Sequence, residues 1–279
     1  MSCYAYYNGR FGIKGDINIP LSDRSIFFGD AVYDAAIGKY DRIMWESEHI
    51  DRLLKSAEMI GIKHSYTKKY LSSLLREIAI KSMLESYLIY VQISRKADTR
   101  RHSAYNCDAS LLVTVEPFCI TKASNPLSLV CTEDKRYGYC NVKAVNLLPA
   151  VLSATLAEER GCDEAIFIKN GIVTECTKSN ISIIKQGRLI THPLGSSILP
   201  GITRGHLIQK CVSMSIAVEE REFTREEMMT SDEILITSAT KLCKYASKVD
   251  GYAVGGGAVE LRNALCSMLY DDYLAICVE

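Results

Sequence analysis

The sequence predicts an α+β fold built from two domains, and three observations predict it. The chain has 279 residues, and domains usually hold about 100–200 residues each. Short strand-like runs are joined by pairs such as Asn8-Gly9, Asn170-Gly171 and Gln186-Gly187, which suit the two-residue turns of antiparallel hairpins. Helix-period segments are interspersed among these hairpins, which points away from a doubly wound parallel sheet.

The elements follow in order. Tyr4 to Tyr7 and Phe11 to Ile13 flank Asn8-Gly9 as a first hairpin. Ala31 to Tyr40 and Ile43 to Trp45 read as strands around Asp41-Arg42. A helix spans about Glu46 to Ile60, because Ile50, Leu53, Leu54, Ala57 and Ile60 recur on one face. Gly61 is placed to end it. A second helix, about Thr67 to Met83, carries Leu71, Leu74, Leu75 and Ile78. Tyr87 to Ile93 and Ser110 to Val115 are β-rich. The stretch Glu116 to Pro126 holds two prolines and little periodicity, so it reads as a linker.

Beyond it, Leu127 to Thr132 is a strand and Ala150 to Arg160 a helix, with Pro149 near its start and Gly161 at its end. Glu164 to Glu175 and Asn180 to Thr191 form two more hairpins. Helices at about Ile202 to Ser215, Arg225 to Met229 and Ala258 to Tyr270 alternate with strands at Val218 to Phe223 and Glu233 to Thr237. The expected domains are 1–118 and 127–279, joined by a linker at 119–126.

Lys+Arg and Asp+Glu both number 33. A zero formal charge argues against a general nucleic-acid binder and a polybasic membrane contact. A local basic pocket for a small anion stays open. The 11 cysteines include no Cys-x-x-Cys pair, so zinc and thioredoxin-like readings lack support, and no metal is expected. The N-terminus lacks a signal-peptide pattern, and no apolar run approaches the roughly 20 residues that span a bilayer. A cytoplasmic protein with reduced thiols is expected.

Three residues and one segment could carry chemistry. Lys143 sits between apolar and amide residues just before a helix. It could snorkel to water, or serve as a desolvated nucleophilic amine. Glu175 ends a strand and could be a solvated charge. Arg52 lies beside the apolar stripe of its helix and could pair with Glu48 one turn away. Gly201-Ile202-Thr203-Arg204 opens a helix, where free N–H groups make either an ordinary cap or an anion site.

Their joint order is more specific. Tyr7-Asn8-Gly9, Asp23-Arg24 with Phe28-Gly29-Asp30-Ala31-Val32-Tyr33, and His49-Ile50-Asp51-Arg52-Leu53 come first. Val142-Lys143-Ala144-Val145-Asn146-Leu147-Leu148, Asp163-Glu164-Ala165, and Val173-Thr174-Glu175 with Ser179-Asn180 follow. Thr191-His192-Pro193 and Ile198-Leu199-Pro200-Gly201-Ile202-Thr203-Arg204 complete the series. This collinear set resembles the class IV pyridoxal-phosphate aminotransferases, the fold shared by D-amino-acid transaminase, branched-chain aminotransferase and aminodeoxychorismate lyase. The resemblance implies a two-domain fold type IV enzyme with pyridoxal 5'-phosphate at the domain interface.

It further implies a role for each matching residue. Lys143, in the C-terminal domain, matches the lysine that forms a Schiff base with the cofactor and shuttles the α-proton. Glu175 matches the acidic partner of the pyridine nitrogen. Arg52 matches the phosphate-holding arginine. Ile202 and Thr203 match donors to that phosphate. Ser179, Asn180, Ser238 and Ala239 fall in the other cofactor-binding segments. Ala239 stands where D-amino-acid transaminases usually have a phosphate-binding Thr, for which Ser238 or Thr240 could compensate.

Ser94 to His102 resembles the D-amino-acid transaminase loop whose Arg-x-His pair, with an active-site Tyr, binds the substrate carboxylate. That maps to Arg100, His102 and Tyr33. The same loop could also be an ordinary solvated basic segment. In that enzyme it reaches the partner subunit's site, so the resemblance implies a homodimer with shared sites. Leu242 to Tyr245 lacks the usual proline of a loop near the substrate pocket. The implied reaction moves an amino group from an amino acid, a D-amino acid such as D-alanine, to a 2-oxo acid such as 2-oxoglutarate. Pyruvate elimination from aminodeoxychorismate, branched-chain L-transamination and a non-catalytic cofactor binder are the rivals.

Overall fold

The computed structural model describes residues 3–96, 100–103, 108–121 and 125–276. Contacts divide the chain into two units, Met1–Ile120 with Val142–Asn146, and Thr121–Asn141 with Leu147–Ala275.

The first unit is a six-stranded antiparallel sheet with helices on one face. Its strands are β1 (Tyr4–Tyr7), β2 (Arg10–Ile13), β3 (Ala31–Lys39), β4 (Arg42–Ile43), β5 (Ser86–Arg95) and β6 (Ala109–Pro117), in the order β2-β1-β6-β5-β3-β4. The helices are α1 (Arg24–Phe28), α2 (Glu46–Met59) and α3 (Lys68–Ser82). Asn8 and Gly9 both take positive φ, the twist that a tight hairpin needs. Val32, Ala36, Ile89, Val91, Ile93, Leu111, Val113 and Val115 face Ile50, Leu53, Ala57, Leu71, Leu75 and Ile78 in one core. The apolar stripes expected on the two helices are the stripes that are buried. α1 lay outside the expected elements; Asp23 caps it through Ser25 N.

Val142–Asn146 completes the edge of this sheet. Tyr33 N donates to Lys143 O at 2.8 Å, Val145 N to Ala31 O at 3.1 Å, and Val32 bridges Ala144. Lys143 therefore belongs to the first unit rather than to a continuous C-terminal domain. The reason is the backbone pairing of Ala31–Tyr33, which captures a segment distant in sequence.

The second unit is a nine-stranded mixed sheet. Its strands are β7 (Leu127–Glu133), β8 (Glu164–Lys169), β9 (Ile172–Cys176), β10 (Asn180–Lys185), β11 (Arg188–Thr191), β12 (Val218–Glu220), β13 (Glu233–Ser238), β14 (Leu242–Val249) and β15 (Tyr252–Ala253). The order is β12-β11-β10-β13-β14-β7-β8-β9, with β15 on β14. The helices are α4 (Leu148–Glu159), α5 (Ile202–Ser213), α6 (Arg225–Met229) and α7 (Val259–Ala275). Ile166, Val173, Ile181, Ile183, Ile234, Ile236 and Val249 pack with Phe223 and Met228 on one side.

The segment read as a loop at Leu242 to Tyr245 is instead the start of strand β14, in the middle of this sheet. Tyr245 pairs with Leu235, and the Arg262 guanidinium of α7 lies 3.8 Å from its ring centroid. The expected strand Val218 to Phe223 keeps only Val218–Glu220, and Phe223 turns into the core.

Candidate active site

The first unit holds two sets of the expected residues. Lys143 is half-buried, its backbone N–H donates to Ser56 Oγ at 3.3 Å, and its Nζ lies 4.6 Å from the Tyr33 ring centroid. Tyr33 stacks on Tyr90 at 5.2 Å between centroids, and Tyr90 Oη donates to Gln92 Oε1 at 2.7 Å. The junction of β3 with 142–146 thus places the Tyr33 ring beside the Lys143 amine.

Arg52 is held from behind by a residue that sequence reading missed. Its Nε and Nη2 donate to Asp34 Oδ2 and Oδ1, both at 2.8 Å. His49 Nδ1 lies 2.7 Å from Asp34 Oδ1. A carboxylate only accepts, so Nδ1 carries the proton. Burial alone would push the Asp34 carboxyl up, but Arg52 and His49 hold it well below the usual range. Burial pushes the His49 imidazole down against the pull of Asp34. The signal was present: Asp34 alternates with Val32 and Ala36 on the apolar face of a strand, where a carboxylate requires partners.

Arg100 and His102 are exposed in their loop, and the Phe28 ring draws them together. The Arg100 guanidinium carbon lies 5.6 Å from the Phe28 centroid, and the His102 ring 5.4 Å.

The second unit holds the remaining set. The buried Glu175 carboxylate accepts from Arg136 Nη1, from Asn180 Nδ2 at 3.0 Å and from Leu199 N at 3.0 Å. Arg136 also donates to Asp134 and to Ser197 O, and lies 4.3 Å over the Phe167 ring. Arg136 was missed because Asp134-Lys135-Arg136 reads as a solvated charge run. Cys176 turns to the opposite side, into the core, where burial raises its thiol well above the ordinary value.

Ser179 Oγ donates to Glu164 Oε2 at 2.9 Å. Glu164 also accepts from Lys178 N at 2.7 Å and from Lys241 Nζ. The turn carrying Ser238 and Ala239 is closed by Lys241 N donating to Ser238 Oγ at 3.2 Å. Glu164 therefore ties the Ser179–Asn180 segment to the Ser238–Lys241 turn.

α5 opens at Gly201 with no side-chain cap, leaving the first N–H groups for a ligand. A Cβ at Gly201 would stand 1.8 Å from Asn180 Oδ1, so only glycine brings the chain this close. Thr203 is buried one residue beyond Ile202. On β13, opposite Asn180, Thr237 Oγ1 is buried without a hydrogen-bond partner among the described residues. An unpartnered hydroxyl costs about 1–3 kcal/mol, and an acceptor such as a phosphate oxygen relieves that cost. Donor set, bare helix start and orphaned hydroxyl all fit a phosphorylated cofactor.

The chain belongs to the class IV aminotransferases, whose family model matches residues 31–248. As a member it is a pyridoxal-phosphate-dependent transaminase. It is 35% identical over 257 residues to a D-alanine aminotransferase of Bacillus licheniformis, covering 90% of each chain. It is 32% identical to one of Staphylococcus epidermidis, covering 91% of this chain and 92% of that one. Its fold matches a branched-chain aminotransferase of Thermoproteus uzoniensis with norvaline, with TM-score 0.90 and 23% identity over 97% of this chain and 94% of that one. A putative 4-amino-4-deoxychorismate lyase of Legionella pneumophila gives TM-score 0.84 and 24% identity over 93% and 97%.

Proposed function

We propose that the chain transfers the amino group of a D-amino acid, such as D-alanine, to a 2-oxo acid such as 2-oxoglutarate. The observation that carries this is its 35% identity with a D-alanine aminotransferase across 90% of both chains. The Arg100 and His102 side chains, gathered on Phe28, supply the donors for a substrate carboxylate.

Bound pyridoxal phosphate supplies an aldehyde for the amino nitrogen and a ring that takes up electrons as the α-proton leaves. The protein positions and moves protons. Lys143 Nζ is the base that accepts and returns the α-proton, with the Tyr33 ring beside it. Arg52, fixed side-on by Asp34, offers its guanidinium to the phosphate. The Ile202 and Thr203 N–H groups, the Thr203 hydroxyl and the Ser238 turn complete the phosphate donors. Glu175, clamped by Arg136, Asn180 and Leu199, accepts the pyridine N–H.

The working form is proposed to be a homodimer in which Arg100 and His102 serve the partner's site. A cytoplasmic location is proposed as well, supported by nine free cysteines among the described residues. No helix among the described residues is long and apolar enough to cross a membrane. The balanced charge supports small metabolites rather than nucleic acid as partners.

The test is incubation with D- or L-alanine plus 2-oxoglutarate, followed by pyruvate measurement. Pyruvate should form from the D-isomer alone. No pyruvate from D-alanine, together with pyruvate from aminodeoxychorismate, would replace this reading with a lyase.

A further inference from the structure

Arg24 is buried, being 4% exposed, and the reaction described above gives it no role. Its three nitrogens are all engaged. Nε donates to Asp30 Oδ2 at 2.8 Å, Nη1 to Arg101 O at 2.5 Å and Nη2 to His102 O at 3.0 Å. The guanidinium carbon lies 4.5 Å from the Phe28 ring centroid. That ring also meets the Arg100 guanidinium at 5.6 Å and the His102 ring at 5.4 Å.

The bracket is anchored further back. Asp30 also accepts from Arg95 Nε at 2.9 Å, and Arg95 donates to Gly61 O at 2.7 Å and to Ile60 O, just past the end of α2. A planar guanidinium holding two successive carbonyls fixes the residue between them, His102, in translation and rotation. Arg100 lies one residue before the first held carbonyl, that of Arg101, and its guanidinium rests against the Phe28 ring. The Arg100 and His102 side chains are exposed, while the Arg101 and His102 carbonyls are held by a buried cation.

We propose that Arg24 and Phe28 are positioning residues for the Arg100–His102 pair and thereby set the affinity for the substrate carboxylate. The proposal rests on the reading of that pair given above. Pre-ordering matters because a loop that must be immobilised on binding loses affinity. The loss should fall on KM, because the chemistry at Lys143 is untouched.

The experiment uses the full chain with its cofactor and measures KM and kcat for D-alanine and 2-oxoglutarate, cofactor absorbance and Tm. Arg100→Ala comes first and should raise both KM values. Arg24→Met should then raise both KM values about tenfold while kcat moves less than about threefold and the cofactor spectrum is kept. Arg24→Lys should not restore KM, since one compact ammonium cannot hold two carbonyls in a fork. Phe28→Leu keeps the apolar volume, removes the ring and should shift KM the same way.

A role confined to stability would lower Tm and leave KM alone. Unchanged KM in Arg24→Met and Phe28→Leu, with KM raised in Arg100→Ala, overturns the proposal and spares the functional reading. Should Arg24→Met fail to fold, Phe28→Leu decides by the same criterion. Unchanged KM in Arg100→Ala overturns both.

Discussion

Gly201→Ala tests the packing of Asn180 against the start of α5 in the second unit. The backbone there has φ −68°, which alanine adopts freely, so any effect comes from the added methyl. Its Cβ would stand 1.8 Å from Asn180 Oδ1 and 3.0 Å from Asn180 Cγ. A relaxed C···O contact is about 3.3 Å, so the amide must retreat by roughly 1.5 Å. That breaks Asn180 Nδ2 to Glu175 Oε2 at 3.0 Å and to Leu199 O at 2.9 Å. A bond to a charged acceptor contributes about 2 kcal/mol and one to a neutral carbonyl about 1 kcal/mol, so the loss is about 3 kcal/mol. At about 2–4 °C per kcal/mol, Tm of the cofactor-free chain should fall by about 6–12 °C. Spectrophotometric titration should show weakened cofactor binding, because Glu175 and the start of α5 both shift. Gly205→Ala is the control: nothing lies within 4 Å of its Cβ, and alanine should stabilise the helix by about 1 kcal/mol. A Gly201→Ala protein melting within about 2 °C of the parent, with unchanged cofactor affinity, would refute the packing argument.

Lys143→Ala should abolish transamination and the visible absorbance of the linked cofactor, with little change in cofactor-free Tm because the backbone pairing with Tyr33 survives. Lys241→Met leaves the buried Glu164 without its cation and should cost about 3 kcal/mol in urea unfolding, with weaker cofactor binding and recovery in Lys241→Arg. The His49 imidazole is depressed below its ordinary 6.5, so the unfolded chain binds more protons and stability falls as pH drops below that value. The depressed Asp34 carboxyl adds a contribution present above 3.8 that is lost as pH falls further. Urea unfolding at pH 7 and pH 5 should show the His49 loss in the parent and a smaller one in His49→Gln.

The helix that carries Arg52 was legible from its periodic apolar stripe, and Arg52 itself was singled out by the resemblance of His49-Ile50-Asp51-Arg52-Leu53. The hairpins were legible because their turn chemistry is local. β14 was not, since Lys244, Ser247 and Lys248 break its alternation. It is a strand only because β13 and β7 flank it. Arg136 was hidden for a related reason. Its value lies in reaching Glu175, a residue 39 positions away, and nothing in its own neighbourhood signals that. The Glu164–Lys241 tie spans 77 positions and is equally silent in sequence.

The capture of Val142–Asn146 by the first sheet bears on how the chain can be made or divided. Cutting at the proline-bearing stretch 119–126, the obvious place to split two domains, parts Lys143 from the strand that seats it. The resulting amino-terminal fragment exposes the Tyr33 N–H and the Ala31 carbonyl along an open strand edge, a template for aggregation. On the ribosome that edge stays open until Asn146 has emerged, so Lys143 takes its seat only after translation of the second unit is under way.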